Sequence, residues 1–270
     1  MYHFQRFFLE KKVIYSMCLF ILLGAAINII PFIMNPNVSL SGGIYATSFY
    51  LGEYYIPIIS ILSYVLPILV YYLVVDSNCN ELFMEHMLFS RVNKKKFYLS
   101  KMVFIFLASF ILFSCFFFTT AIISKILYNV SMLEGTYLSN AGIIGKYQLH
   151  NSEITRTNFQ FAPIFFYHID IYCIIKSVLF SLVCASFGVL EYGIIQWTHR
   201  YILNYILPVC VIFGTNALFY ILKQPFDLLS LLSSNSYVPY FYIEAWIGWI
   251  ILPILIGIIL VILRLKEDKS

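Results

Sequence analysis

A chain of 270 residues that is 61% hydrophobic and 11% charged is not a water-soluble domain, since such domains carry about 25% charged residues. The surplus apolar surface calls for lipid, so length does not count domains, and one membrane domain over residues 1–270 is expected. The net charge of +4 carries no nucleic-acid signal, because most basic residues stand at the ends of apolar runs, where they set topology.

In chain order, residues 1–12 come first. They mix apolar Phe4, Phe7, Phe8 and Leu9 with His3, Gln5, Arg6, Glu10, Lys11 and Lys12. The mixture predicts an amphipathic helix lying on the inner membrane surface; the plainer reading is a frayed basic tail. Lys11-Lys12 ahead of an apolar run, with Gly24-Ala25-Ala26 behind it, has the outline of a cleaved leader. The run stays apolar through residues 27–34, long enough to span, so an uncleaved first helix is expected.

Six segments reach or approach the length needed to cross a bilayer, about 20 apolar residues. They are 13–34, 56–75, 102–128, 171–196, 202–222 and 245–265, and they predict an all-α membrane protein with six transmembrane helices. Pro31, Pro57, Pro67, Pro208 and Pro253 fall in or near them, which membrane helices tolerate. With both termini inside, the cytoplasmic basic residues are Arg6, Lys11, Lys12, Arg91, Lys94, Lys95, Lys96, Lys101, Arg200, Arg264, Lys266 and Lys269. These are 12 of the 17 Lys and Arg; Lys125, Lys146, Arg156, Lys176 and Lys223 are the remainder. The asymmetry predicts an N-in, C-in orientation.

The segment 76–101 joins the second and third spans and is the one long charged run between apolar stretches. Asn80 is placed to cap a helix over 81–89, with Glu81 and Glu85 in its first turns, where the helix dipole favours acids. Leu82, Phe83, Met84, Met87, Leu88 and Phe89 supply apolar surface. Lys94–Lys96 return the chain to an anionic leaflet. Two readings remain open: a helix that wedges into a groove of a cytoplasmic partner, or a positive-inside anchor whose acids are merely solvated.

The outer connections are 35–55, 129–170 and 223–244. The middle one is the longest, polar at its centre and aromatic at its end (Phe159, Phe161, Phe165, Phe166, Tyr167). Aromatics at such positions sit at headgroup level. The inner connection 197–201, with His199 and Arg200, is very short.

No reaction chemistry is legible. Gly142-Ile143-Ile144-Gly145-Lys146 lacks the spacing and the Ser/Thr of a phosphate-binding loop, and neither H-E-x-x-H nor G-x-S-x-G occurs. The five His are scattered, and Cys18, Cys115, Cys173, Cys184 and Cys210 lie in apolar segments without a C-x-x-C pair. A chain that is not an enzyme and binds no cofactor or metal is expected. The polar candidates inside the spans are Asn28, Lys176, Glu191, Asn204 and Asn216. Facing lipid would be costly, so they are expected to face the bundle interior or a cavity. Lys176 is near enough to the outer end to snorkel, with Asp170 within reach, and Glu191 is near the inner end beside Arg200. For each, helix–helix bonding or snorkelling competes with substrate contact.

Glu81, Glu85, Ser90-Arg91, Lys95-Lys96, Tyr98 and Lys101, on six spans preceded by an amphipathic N-terminal segment, resemble the permease subunits of type-2 ATP-binding-cassette transporters. The chain departs from that family's common pattern in having Leu88-Phe89 ahead of Ser90 and no Gly after Glu85. The resemblance implies that 80–89 is the coupling helix contacting a separate cytoplasmic ATPase, through Glu81, Leu82, Glu85, Met87, Leu88, Phe89 and Arg91, with His199 and Arg200 as a second contact. It also implies a second permease chain, identical or related, and ATP and Mg bound in the ATPase rather than here. Small permeases of this family often export antimicrobial peptides in bacterial self-protection systems. The Phe-, Tyr-, Ile- and Leu-rich spans suit an amphipathic or lipid-like cargo, and abundant Ile, Asn, Lys and Tyr fit an AT-rich bacterial genome. A multi-pass bacterial plasma-membrane protein is expected. The alternative is a stand-alone membrane immunity or sensor protein that captures a ligand through its outer loops, above all 129–170.

Overall fold

The computed structural model of the chain describes residues 11–34, 65, 68–75, 94–127, 169–198, 201–222, 228 and 243–267. All ordered elements among them are helical: α1 (Lys11–Met34), a π-helical turn (Tyr71–Val75), α2 (Lys94–Leu127), α3 (Ile169–Thr198), α4 (Tyr201–Ile221) and α5 (Ile243–Glu267). Among the described residues three helices are long and apolar enough to cross a membrane, over Lys94–Ile123, Cys173–Trp197 and Glu244–Lys266. Shorter apolar stretches occupy Val13–Ala26 and Ile206–Ile221. The segment expected over 56–75 is described at residue 65 and from 68 onward. Residues 1–10 and 76–93, where the amphipathic and coupling helices are expected, lie outside the described residues, as do residues 129–168 of the outer connection 129–170.

Helix ends differ from hydropathy in one instructive place. The third apolar run starts at Met102, yet α2 starts at Lys94. Lys94–Lys101 contains no Gly or Pro, and Lys and Leu are good helix formers, so nothing stops the backbone ladder at the point where hydropathy stops. The last eight residues of the charged 76–101 segment are therefore helical, with Lys94, Lys95 and Lys96 exposed and Tyr98 and Lys101 turned into the bundle.

The axis of the bundle is α3. Of its most apolar stretch 72% is buried, against 22% for α5, and it packs against α2, α4, α5 and the π-helical turn. The polarity of each pair follows from which residues meet. Phe20 of α1 stacks on Phe113 at 5.2 Å and Phe116 at 5.8 Å between ring centroids, and Gly24 abuts Thr120, so α1 and α2 run parallel. Phe117 meets Phe180 at 5.2 Å while Ile105 and Ser109 meet Gly188, so α2 and α3 are antiparallel. Ser186 meets Trp249 and Trp197 meets Leu260, so α3 and α5 are parallel.

These pairings bring the N-termini of α1 and α2 and the C-termini of α3 and α5 to one end of the bundle. That end carries Lys11, Lys12, Lys94, Lys95, Lys96, Arg264 and Lys266. Two residues, 199 and 200, separate α3 from α4, which starts α4 at the same end. Outward faces of α1, α4 and α5 are apolar, with Tyr15, Ile33, Phe213, Leu218, Leu252 and Ile259 all more than half exposed. Apolar surface on this scale is what a lipid-facing helix presents and a soluble monomer avoids.

Candidate functional site

The polar side chains buried in this bundle concentrate on α3: Lys176, Ser177, Ser181, Ser186, Glu191 and Gln196. A helix that touches partners on most of its circumference has little lipid-facing surface, so its polar residues must be accommodated inside protein. The hydroxyls manage this locally. Ser181 Oγ donates to the Ser177 carbonyl at 2.7 Å. The Ser186 hydroxyl proton is shared between the Val183 carbonyl at 2.7 Å and, across the helix interface, the Trp249 carbonyl at 3.1 Å. Nearer the basic end, Trp197 Nε1 donates to the Leu260 carbonyl at 2.8 Å.

Lys176 stands two turns into α3 from the end opposite the basic one and is fully buried. Its Nζ lies 5.2 Å from the Trp246 ring centroid and 5.6 Å from that of Phe180. Trp246 and Phe180 are themselves 5.6 Å apart, and Phe180 continues to Phe117 on α2. The ammonium is thus enclosed by ring faces of the kind that attract cations. The snorkelling geometry expected for Lys176 is not adopted, because Trp246 and Phe180 close around the side chain; enclosure in the bundle interior is.

Glu191 is fully buried about two turns from the other end of α3, and neither carboxyl oxygen has a hydrogen-bond partner among the described residues. Gln196 Nε2 and, on α2, Ser109 Oγ are likewise enclosed without one among the described residues. Buried polar atoms left in this state are uncommon and concentrate where a protein binds or moves something. Lys176 and Glu191 are fifteen residues apart, about 22 Å along a helix, so they form separate polar points rather than an ion pair.

Two further features were not expected from sequence. First, the α3–α5 seam closes on glycine: a Cβ on Gly193 would lie 2.7 Å from the Gly257 carbonyl oxygen, and one on Gly257 would lie 2.6 Å from that of Val189. Small residues in apolar helices are the available signal for such contacts; Gly24 answers to it, facing Thr120, while Gly214 has open space around it. Second, an apolar groove of about 340 Å³ runs between α3, α4 and α5, walled by Phe187, Leu190, Val211, Phe219, Trp249 and Leu252. Among the described residues Glu244 is the one charged residue lining it and is exposed, in the first turn of α5.

Of the residues expected to act, Glu81, Leu82, Glu85, Met87, Leu88, Phe89, Arg91, His199 and Arg200 lie outside the described residues. Asn28 is on α1 and Asn204 on α4, and Asn216 is half-buried on α4. Among the described residues no three His, Cys, Asp or Glu side chains are grouped so as to hold a metal ion. No family model, curated protein or solved structure matches this chain.

Proposed function

We propose that this chain is the membrane subunit of an ATP-driven exporter whose ATPase subunits are separate proteins. The observation that carries this reading is how the segment 76–93 is tethered. It follows directly on the π-helical turn Tyr71–Val75, in which Val74 and Val75 are fully buried. It runs directly into α2, where Tyr98 and Lys101 are buried within two turns of the helix start. The π turn packs on α1, α2 and α3, and α2 packs on α1 and α3. A push or pull on 76–93 would therefore pass, at both ends of the segment, into the packed helices α1, α2 and α3, which is what a coupling segment requires. Short π-helical stretches also recur at functional positions.

In this reading the basic end of the bundle is cytoplasmic, in keeping with the positive-inside rule, and the 80–89 helix, with Glu81 and Glu85, docks on the ATPase. The chain itself hydrolyses nothing and pairs with a second permease subunit in a bacterial plasma membrane. The cargo is amphipathic, such as an antimicrobial peptide or lipid-like molecule. The groove between α3, α4 and α5 supports that class, being apolar over its length with a carboxyl group at one margin.

The test is co-expression with the ATPase encoded nearest to this chain, purification through a tag on this chain, and vanadate-sensitive ATP hydrolysis in lipid. A stable complex whose hydrolysis drops when Glu81 and Glu85 are replaced by Ala is the expected result. A chain that purifies alone and stable, with no ATPase attached, would instead point to a membrane receptor working through 129–170.

A further inference from the structure

α2 and α5 both pack along α3 and barely touch each other. Where the first turns of α2 pass the last turns of α5, this leaves a cleft of about 450 Å³, within the range of ligand-binding clefts, about 300–1,000 Å³. Its walls are apolar, formed by Leu99 and Met102 on α2 and by Val261 and Leu265 on α5. Among the described residues its charged lining is two cations, one from each wall: Lys95 in the first turn of α2 and Lys266 in the last turn of α5. Both are exposed.

We infer that this cleft binds an anionic phospholipid, its headgroup phosphate between Lys95 and Lys266 and an acyl chain between α2 and α5. The division of the site argues for a lipid over a water-soluble anion. A free phosphate would use the two ammonium groups and leave the apolar walls uncovered. An acyl chain covers those walls, and the bilayer supplies it wherever the helices cross. A zwitterionic lipid gains little, because its own cation repels the two lysines, and basic pockets between membrane helices select anionic headgroups on this ground.

The consequence is mechanical. α2 is the helix that receives the 76–93 segment, and α5 is the helix held to α3 by Gly193 and Gly257. A lipid seated between them joins the two at the basic end, where they otherwise make little contact. The inference stands whether or not the chain is a transporter, since it uses only the cleft and its two cations.

The experiment uses the full chain purified in detergent and presented with phosphatidylglycerol, phosphatidylcholine or glycerol phosphate, with bound molecules counted by native mass spectrometry. The expected result is retention of phosphatidylglycerol over phosphatidylcholine, weakened about 25-fold in the Lys95→Gln, Lys266→Gln double variant, from about fivefold for each lysine. Leu99→Trp, at a position 62% exposed and so not needed for folding, should narrow the cleft and lower phosphatidylglycerol retention with both lysines intact. Equal retention of the two lipids, or indifference to the double variant, would overturn the assignment. So would glycerol phosphate competing as well as the intact lipid, which would make this a headgroup site without a chain in the cleft. Failure to retain any lipid would also overturn it and leave the cleft to a segment of the chain itself.

Discussion

Gly193 and Gly257 meet backbone to backbone: a Cβ on Gly193 would come within 2.7 Å of the Gly257 carbonyl oxygen and 2.8 Å of its Cα. No side chain stands between α3 and α5 at this level, so neither helix can yield by rotating a rotamer. Adding a methyl group here has to separate two helices that are pinned on either side by the Ser186–Trp249 and Trp197–Leu260 hydrogen bonds. Gly193→Ala and Gly257→Ala are each expected to destabilise by about 1–3 kcal/mol, the usual effect of overpacking a tight interior. Gly214→Ala is the control, because a Cβ there meets nothing within 4 Å, and it should be neutral or stabilising by about 0.5–1 kcal/mol. Thermal unfolding in detergent, followed by size-exclusion chromatography, separates the two outcomes.

The Trp197 indole ties the basic end of α3 to α5 through its bond to the Leu260 carbonyl. Trp197→Phe keeps most of the ring area and removes only the donor. A loss of about 0.6–1.5 kcal/mol is expected, the range for single interhelical hydrogen bonds. An unchanged unfolding midpoint would show that this bond contributes nothing net.

Lys176 is held by rings, and that makes a specific claim about pairs. In a double-mutant cycle, Lys176→Met and Trp246→Leu should be coupled by about 0.5–2 kcal/mol, the strength of a desolvated cation–π contact. The same cycle between Lys176→Met and Trp197→Phe, at opposite ends of α3, should show none. Strictly additive effects for Lys176 and Trp246 would sink the enclosure as an energetic contact.

Glu191 is a buried carboxyl group without hydrogen-bond partners among the described residues, so the fold gains nothing visible from it. Glu191→Met, of similar length, is expected to raise stability by about 1–3 kcal/mol, the desolvation cost of an unsatisfied polar group. If Glu191 serves the proposed transport cycle, the same variant loses ATP-coupled transport while remaining folded, the usual exchange of function for stability. A Glu191→Met protein that is less stable than the wild type would instead reveal a structural bond.

What the residues determine on their own follows from two short-range properties. Apolar runs of membrane-crossing length, nearly free of charge, placed helices over 13–34, 171–196, 202–222 and 245–265; the structure has α1 at Lys11–Met34, α3 at Ile169–Thr198, α4 at Tyr201–Ile221 and α5 at Ile243–Glu267. Transfer of a polar side chain into an apolar bundle is costly wherever it happens, which is why Lys176 and Glu191 stood out before any neighbour was known and why both are found enclosed. Tertiary structure alone decided the rest. Which helix would be the axis, and that α3 takes α2 and α5 as its main neighbours, depends on pairing between segments far apart in the chain. Hydropathy measures transfer out of water and is nearly equal for every span, so it is silent on such pairing. The Gly193–Gly257 contact, the Lys176–Trp246 contact and the cleft between Lys95 and Lys266 each join residues more than sixty positions apart. Each exists only because helix packing fixes distances that local propensity and hydropathy never encode.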